Sequence, residues 1–213
     1  MSVKVIWVTP NAEHVMEYCA RASSPKNQAR MDSGELTPGG LLKHCASSGH
    51  WSVFEMANAV FEIKTTRAIS AQILRHRSFS FQEFSQRYSQ VNTKDFTLPE
   101  MRMGGTKNRQ SSSEVMDGKD IGLEVNAAIF NSIVAYETLL SKGVATETAR
   151  MVLPMCSPTK LYMNGTIRSW VHYLNVRCKP DVQKEHRLIA EEIRSVLAEK
   201  LPNCSEAFGW GAD

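Results

Sequence analysis

Long apolar runs are missing from this 213-residue chain. None approaches the roughly 18 consecutive apolar residues of a membrane-spanning helix, so no membrane partner is expected. The first residues, Val3-Lys4-Val5-Ile6-Trp7-Val8, alternate like a strand and break at Pro10. That pattern is too short for a secretory leader, and a cytoplasmic protein is expected. Paired cysteines are missing too. Cys19, Cys45, Cys156, Cys178 and Cys204 lie far apart with no C-x-x-C, which predicts reduced thiols rather than a disulfide frame or a zinc cluster. The six histidines never fall into H-E-x-x-H, so no metal site is expected. No G-x-G-x-x-G occurs, and Gly104-Gly105-Thr106-Lys107 lacks the G-x-x-x-x-G-K-[ST] spacing; a Rossmann unit and a phosphate loop are both excluded. Charge of one sign is scarce. A net charge of +3 without a basic stripe neither demands nor excludes an anionic partner.

What is present suits one domain over 1–213, long enough to bury a core without staples. Residues 3–8 and 57–63 read as strands. Asn11 is placed to cap a helix reaching about Arg21, and Thr37-Pro38 to open one through Leu41, Leu42 and Cys45. Thr66 caps a helix carrying Ile69, Ile73 and Leu74, on which Gln72, Arg75 and His76 share one face. Residues 92–120 form a polar, Gly/Ser-rich flexible loop insertion. A long helix follows from Gly122 to Leu140, stopped by Gly143. A short helix through Ala149 and Met151 ends before Pro154. Thr166 caps a helix through Ile167, Trp170, Val171 and Leu174, and Asp181 or a neighbour starts the last long one, through Ile189, Ile193 and Leu197. No internal repeat is evident. The expected fold is α+β, with several helices around a small mixed or antiparallel sheet.

The stretch Arg75-His76-Arg77-Ser78-Phe79-Ser80-Phe81-Gln82-Glu83-Phe84-Ser85-Gln86-Arg87-Tyr88 is the most informative. Charges alternate there with Phe79, Phe81 and Phe84. Guanidinium forks beside flat apolar surface suit a ligand with both phosphates and rings, so the stretch predicts a nucleotide pocket. Arg168, His172 and Asn175 form a polar stripe without Lys or Glu on the 166–177 helix; an ordinary solvated face is the alternative. Arg177 ends that helix, where a cation also complements the dipole. Arg150 leads into apolar Met151-Val152-Leu153-Pro154 and either holds an anion or pairs with Glu147. Ser85 has no base partner in its motif and reads as a ligand contact, not a nucleophile.

Arg75-His76-Arg77, seven residues and then Ser85 resembles the signature of the flavin-dependent thymidylate synthases. Glu83-x-Ser85-x-Arg87-Tyr88 extends the match. Three further segments support it in order: Gly49-His50-x-Ser52-x-Phe54-Glu55, Ala149-Arg150-x-Val152-Leu153-Pro154, and Arg168-Ser169-Trp170-x-His172-Tyr173-Leu174-x-x-Arg177. The resemblance implies an α+β homotetramer with sites shared between subunits. It implies FAD as cofactor, dUMP as substrate, and methylenetetrahydrofolate and NADPH as cosubstrates in forming dTMP. Carried over by position, Gln72, Arg75, Glu83, Phe84, Ser85, Gln86, Arg87 and Arg150 would hold dUMP. Ser52, Arg75, His76, Arg77, Glu83, Thr166, Arg168 and His172 would line the FAD site, and Arg177 would polarise the uracil. Asn often stands in the family where this chain has Thr166 and His172. His50 and the aromatic residues of the 79–84 run are candidates to meet the folate.

Two rivals remain at this level. A cysteine-nucleophile thymidylate synthase would need an activated thiol; Cys156 follows Pro154-Met155 without an adjacent Pro-Cys-His run and reads as structural. A single-stranded nucleic-acid binder could use the Arg/Phe run for stacking and charge, against the absence of a basic stripe.

Overall fold

The computed structural model describes all residues except 37–38, 107–111, 117–118 and 212–213, and not the side chains of 119 and 120. Its spine is a strand pair. β2 (Asn58–Thr66) and β6 (Pro158–Thr166) run antiparallel over nine residues, from Asn58 opposite Thr166 to Thr66 opposite Pro158. Alternate residues of each are buried: Ala59, Phe61, Ile63 and Thr65 on one strand, Thr159, Leu161, Met163 and Gly165 on the other. That two-residue period marks a sheet with one face in the core. β1 (Ser2–Val8) joins β2 and β3 (Ser80–Glu83) joins β6, both antiparallel, in the order β1-β2-β6-β3. A separate hairpin pairs β4 (Arg102–Gly104) with β5 (Ser112–Val115).

The helices in chain order are α1 (Ala12–Ala20), α2 (Pro25–Asp32), α3 (Gly40–Ser47), α4 (Arg67–Ile73), α5 (Lys119–Ser141), α6 (Thr146–Ala149), α7 (Ile167–Arg177), α8 (Lys184–Lys200) and α9 (Pro202–Phe208). Short 3-10 turns span Trp51–Glu55 and Arg150–Val152. Each spine strand passes straight into a helix. The first helical N–H groups are satisfied in matching fashion: Arg67 donates to the Ser157 carbonyl and Ile167 to the Ala57 carbonyl, both at 2.9 Å. Because the strands are antiparallel, α4 and α7 start at opposite ends of the sheet. The two strand–helix units repeat a structural device without repeating a sequence.

One face of the sheet is the core. Phe61, Ile63, Leu161 and Met163 pack with Ile69 and Ile73 of α4, Trp170 and Leu174 of α7, and Ile189, Ile193 and Leu197 of α8. Trp170 is fully buried and satisfies its indole by donating to the Ala59 carbonyl at 3.2 Å. The opposite face is mostly polar: Tyr162 donates to Glu62 at 2.8 Å beside Lys160. A smaller apolar cluster of Val91, Tyr136 and Ala149, with Phe84 and Phe96, holds α5 to the segment after β3.

The structure departs from expectation in instructive places. The helix after Thr66 ends at Ile73, so Arg75 and His76 lie beyond it in a turn whose His76 N–H reaches the Ile73 carbonyl at 3.1 Å. The early stop lets Phe79 enter the core. Thr66 makes no side-chain cap, whereas Thr166 caps as expected, accepting from the Ser169 N–H at 3.2 Å. Asn11 takes a left-handed conformation at the start of α1 without a side-chain cap. The Thr37-Pro38 cap lies outside the described residues. In the expected loop 92–120 stand the β4–β5 hairpin and the first residues of α5. Strand β6 escaped sequence reading because Asn164 and Gly165 are poor strand formers.

Gly165 has a packing reason. A Cβ there would sit 2.4 Å from the Phe79 ring, which in turn meets Trp170 edge-on at 4.7 Å between centroids. Gly165→Ala should therefore lose about 1–3 kcal/mol through overpacking, read as a lower urea midpoint. Phe79→Leu in the same chain should recover part of that loss; additive losses in the double variant would contradict the contact.

Candidate active site

The end of α7 brings the first group of chemistry-bearing residues together. Arg177 occupies the last turn and donates from Nε to His76 Nε2 at 2.8 Å. An arginine has no acceptor, so His76 Nε2 carries a lone pair and the ring is neutral with its proton on Nδ1. Burial, reinforced by the Arg177 charge, pushes His76 down to about 4. His76 therefore stays neutral at pH 7, and the Arg177 terminal nitrogens remain without a partner among the described residues. Tyr173 lies against His76 at 4.9 Å between centroids.

Gln72, from α4, reaches the same place. Its side chain meets His186 Nδ1 at 3.2 Å and Gln183 at 2.6 Å, and His186 Nε2 meets the Tyr173 hydroxyl at 3.1 Å. His186 is completely buried. Sequence reading missed it, although one signal existed: with Ile189, Ala190, Ile193 and Leu197 it occupies the apolar face of α8, where a histidine needs a partner.

A second group gathers around Glu147 of α6. Arg87 pairs with its carboxylate at 3.3 Å, and Arg150 donates from Nε to its carbonyl at 3.3 Å. The expected Arg150–Glu147 contact thus exists, but to the backbone; the carboxylate goes to Arg87. Two arginines far apart in sequence become neighbours. Ser85 opens a turn in which its carbonyl accepts from the Tyr88 and Ser89 N–H groups at 3.1 and 3.0 Å. Gln86 is buried with its Nε2 unpaired. Glu83 is tied down: its Oε1 accepts from Ser70 at 2.6 Å and Thr159 at 2.9 Å and pairs with Arg67 at 2.7 Å.

A third group lines the start of α7 and the 51–55 turn. Arg168 pairs with Glu55. The exposed His172 ring lies 5.1 Å from Trp51, which stacks on Phe208. Ser52 is exposed on the same turn. Thr166 gives its one hydroxyl proton to Ser169 Oγ at 3.1 Å, so it can only accept from a further group. Arg75 and Arg77 are exposed and have no partner among the described residues.

The phenylalanines behave differently from expectation. Phe79 belongs to the core, Phe81 packs partly against it, and Phe84 joins the smaller cluster. They fix the arginines in place rather than offer a stacking surface, because each ring finds apolar protein first. The hollows meet the expected site only in part: Phe84 borders one, and His50 and Ser52 border another of about 520 Å³ beside Val53 and Met56. The cavity at Phe84, of about 520 Å³, is also bordered by Lys64, Val91, Thr159 and Lys160. One of about 490 Å³ is bordered by Leu98, Glu100, Arg102, Gln183 and Glu185. Arg75, Arg77, Arg87 and Arg168 border neither of these two; Arg75, Arg77 and Arg87 are exposed, and Arg150, Arg168 and Arg177 are half-buried. No helix among the described residues is long and apolar enough to cross a membrane, and no group of His, Cys, Asp or Glu among them could hold a metal.

Comparison with known proteins identifies the family. The family model described as thymidylate synthase complementing protein matches residues 4–203. The chain is 45% identical over 201 residues to the flavin-dependent thymidylate synthase of a Synechocystis species, covering 93% of this chain and 90% of the relative. It is 40% identical over 222 residues to a probable flavin-dependent thymidylate synthase of Paramecium bursaria Chlorella virus 1, covering 99% and 100%. Among solved structures, a UMP/dUMP methylase from Streptomyces cacaoi bound with 5-Br dUMP superposes with a TM-score of 0.85 at 26% identity, covering 98% of this chain and 94% of the other. With near-complete coverage at these identities, the chain belongs to the flavin-dependent thymidylate synthase family.

Proposed function

We propose that this protein converts dUMP to dTMP with FAD bound, taking the carbon from methylenetetrahydrofolate and the reducing equivalents from NADPH. The observation that carries the reading is Arg177, held through Nε by neutral His76, which Arg75 and Arg77 flank in sequence with exposed side chains. Uracil C5 is a poor nucleophile until negative charge builds over N3, C4 and O4. A guanidinium fixed at one nitrogen can present the others to that charge without ever losing a proton. The neutral state of His76 matters here, since a cation in its place would repel Arg177.

The dUMP phosphate needs several cationic donors. Arg87 and Arg150, already neighbours at Glu147, and Arg75 supply them, with Gln72 and Gln86 adding amide donors. Glu83, Phe84 and Ser85 belong to the same wall. The flavin fits the donor set of the third group. Arg75, Arg77 and Arg168 suit its diphosphate, Ser52, Thr166 and His172 its polar edges; His76 and Glu83 would complete the set, Glu83 serving dUMP as well. Thr166 can only accept there, so it would meet a hydrogen-bond donor of the flavin. A bound flavin supplies the electrons that end in the new methyl group; the residues of the chain bind, orient and polarise.

An arginine wall with Arg75, Arg77 and Arg87 exposed on one chain is an incomplete site. The long helix α5 exposes Leu123, Phe130 and Val134, apolar surface that association would cover. We infer a homotetramer whose subunits share each site, working in the cytoplasm, where the free thiols are stable.

Cysteine catalysis has little support. Burial pushes the Cys156 thiol up from its ordinary value, which leaves the nucleophilic thiolate scarce at neutral pH. Stacking on single-stranded nucleic acid fails for another reason, because Phe79, Phe81 and Phe84 face protein.

Three outcomes test this reading. Arg177→Ala should cut dTMP formation by about 10²–10³ while FAD absorbance on the purified protein persists, and Arg177→Lys should not restore the rate. Near-normal turnover in the Ala variant would remove Arg177 from the chemistry. Cys156→Ala should keep dTMP synthesis in a folded, flavin-loaded protein; its loss there would bring back the thiol mechanism. Inactive Arg87→Ala and Arg168→Ala chains, refolded together, should regain part of the activity if they serve one site from different subunits. Sedimentation should show a tetramer, and a fully active monomer at dilution would overturn the shared site.

A further inference from the structure

A hydrogen-bond chain lies behind His76, whose ring packs against Tyr173, and its direction is fixed at each joint. Gln183 Nε2 donates to Glu185 Oε2 at 2.9 Å, so Gln183 presents Oε1 to Gln72, whose Nε2 donates to it at 2.6 Å. Gln72 Oε1 then faces His186 Nδ1 at 3.2 Å. A carbonyl oxygen only accepts, so the His186 proton must sit on Nδ1. Nε2 is left bare and accepts a hydrogen bond from the Tyr173 hydroxyl at 3.1 Å. Two features keep the chain from sliding. His186 and Tyr173 are 0% and 1% exposed, so water cannot substitute for either. At the far end Arg102 grips both Glu185 oxygens, at 2.7 and 2.9 Å, and Glu100 at 2.8 Å. His186 holds no charge to disturb this order: burial first, then Arg177 and His76, push it down to about 3.

We propose that His186 is a positioning residue for nucleotide binding, setting the amide of Gln72 so that a second Nε2 proton is offered to an acceptor on the substrate, a phosphate or ring carbonyl oxygen. With the amide reversed, Gln72 would offer a carbonyl to that oxygen and repel it. The inference rests on Gln72 being a dUMP contact. It also gives the residues after 92 a task in the site, since Arg102 anchors the other end of the chain.

Isosteres of the two ring nitrogens test it on the FAD-loaded protein, with dUMP affinity measured by calorimetry and KM and kcat for dUMP measured separately. An Asn amide nitrogen falls near Nδ1, whereas a Gln amide falls near Nε2. His186→Asn should keep the contact to Gln72 and leave dUMP affinity close to the parent's. His186→Gln should weaken dUMP about tenfold, the usual consequence of one lost or reversed hydrogen bond, mainly in KM, and match Gln72→Ala. Equal weakening by Asn and Gln, tracking a common loss of melting temperature, would make His186 merely structural and overturn the proposal. So would unchanged affinity in both alongside a weakened Gln72→Ala. If Gln72→Ala itself binds dUMP normally, the substrate contact fails, and the inference fails with it for that separate reason. Should the variants not fold, nitrogen-15 spectra of the unaltered protein decide: a proton on His186 Nδ1 is expected, and a bare Nδ1 would overturn the chain.

Discussion

The pairing of β2 with β6 is the constraint on which the rest depends. Nine antiparallel partners fix the ends of both strands against each other, and both strands turn into helices with no linker. The positions of α4 and α7 follow from that register, and with them Gln72 at one helix end and Arg177 at the other. The close approach of Phe79 to Gly165 then seats the 75–79 turn on the spine, bringing His76 within 2.8 Å of Arg177. A one-residue slip in the pair would exchange the core and solvent faces and dismantle the site with the fold.

The polar chemistry sits on apolar support. Phe79, Trp170 and Tyr173 meet edge to face, with centroids 4.7 to 5.9 Å apart, a geometry that adds to burial. Above them two histidines are held neutral. Neutral rings act as directional acceptors and donors where imidazolium would compete with Arg177 for the same anion. Burying His186 demands that both of its nitrogens be satisfied, and Tyr173 and Gln72 do so. The site is thus rigid toward the core and open toward solvent, where the exposed arginines lie.

Much of this was legible in the sequence, and the misses have physical causes. The alternation at 3–8, the Thr166 cap and the Gly143 stop (φ 80°) are local signals and survive folding. The Arg75-to-Tyr88 motif identified the family together with three further segments in order. The motif did not reveal that its phenylalanines point inward, because alternating charge and aromatic residues fit a ligand wall and a half-buried edge strand equally well. Strand β6 was hidden since Gly165 answers to a ring from another segment, a contact no local pattern encodes. His186 and Arg102 were overlooked for the same reason: their partners lie 114 and 83 residues away.

Electron balance offers the most direct test of the central claim, that Arg177 polarises uracil while reducing power arrives through a bound flavin. Reducing a transferred methylene to a methyl group takes two electrons; if NADPH supplies them, the folate leaves as tetrahydrofolate. Purified protein given dUMP, methylenetetrahydrofolate and NADPH should form dTMP with matching NADPH oxidation and tetrahydrofolate as product. Release of dihydrofolate, with dTMP formed and no NADPH consumed, would mean that the folate itself is the reductant and would contradict it.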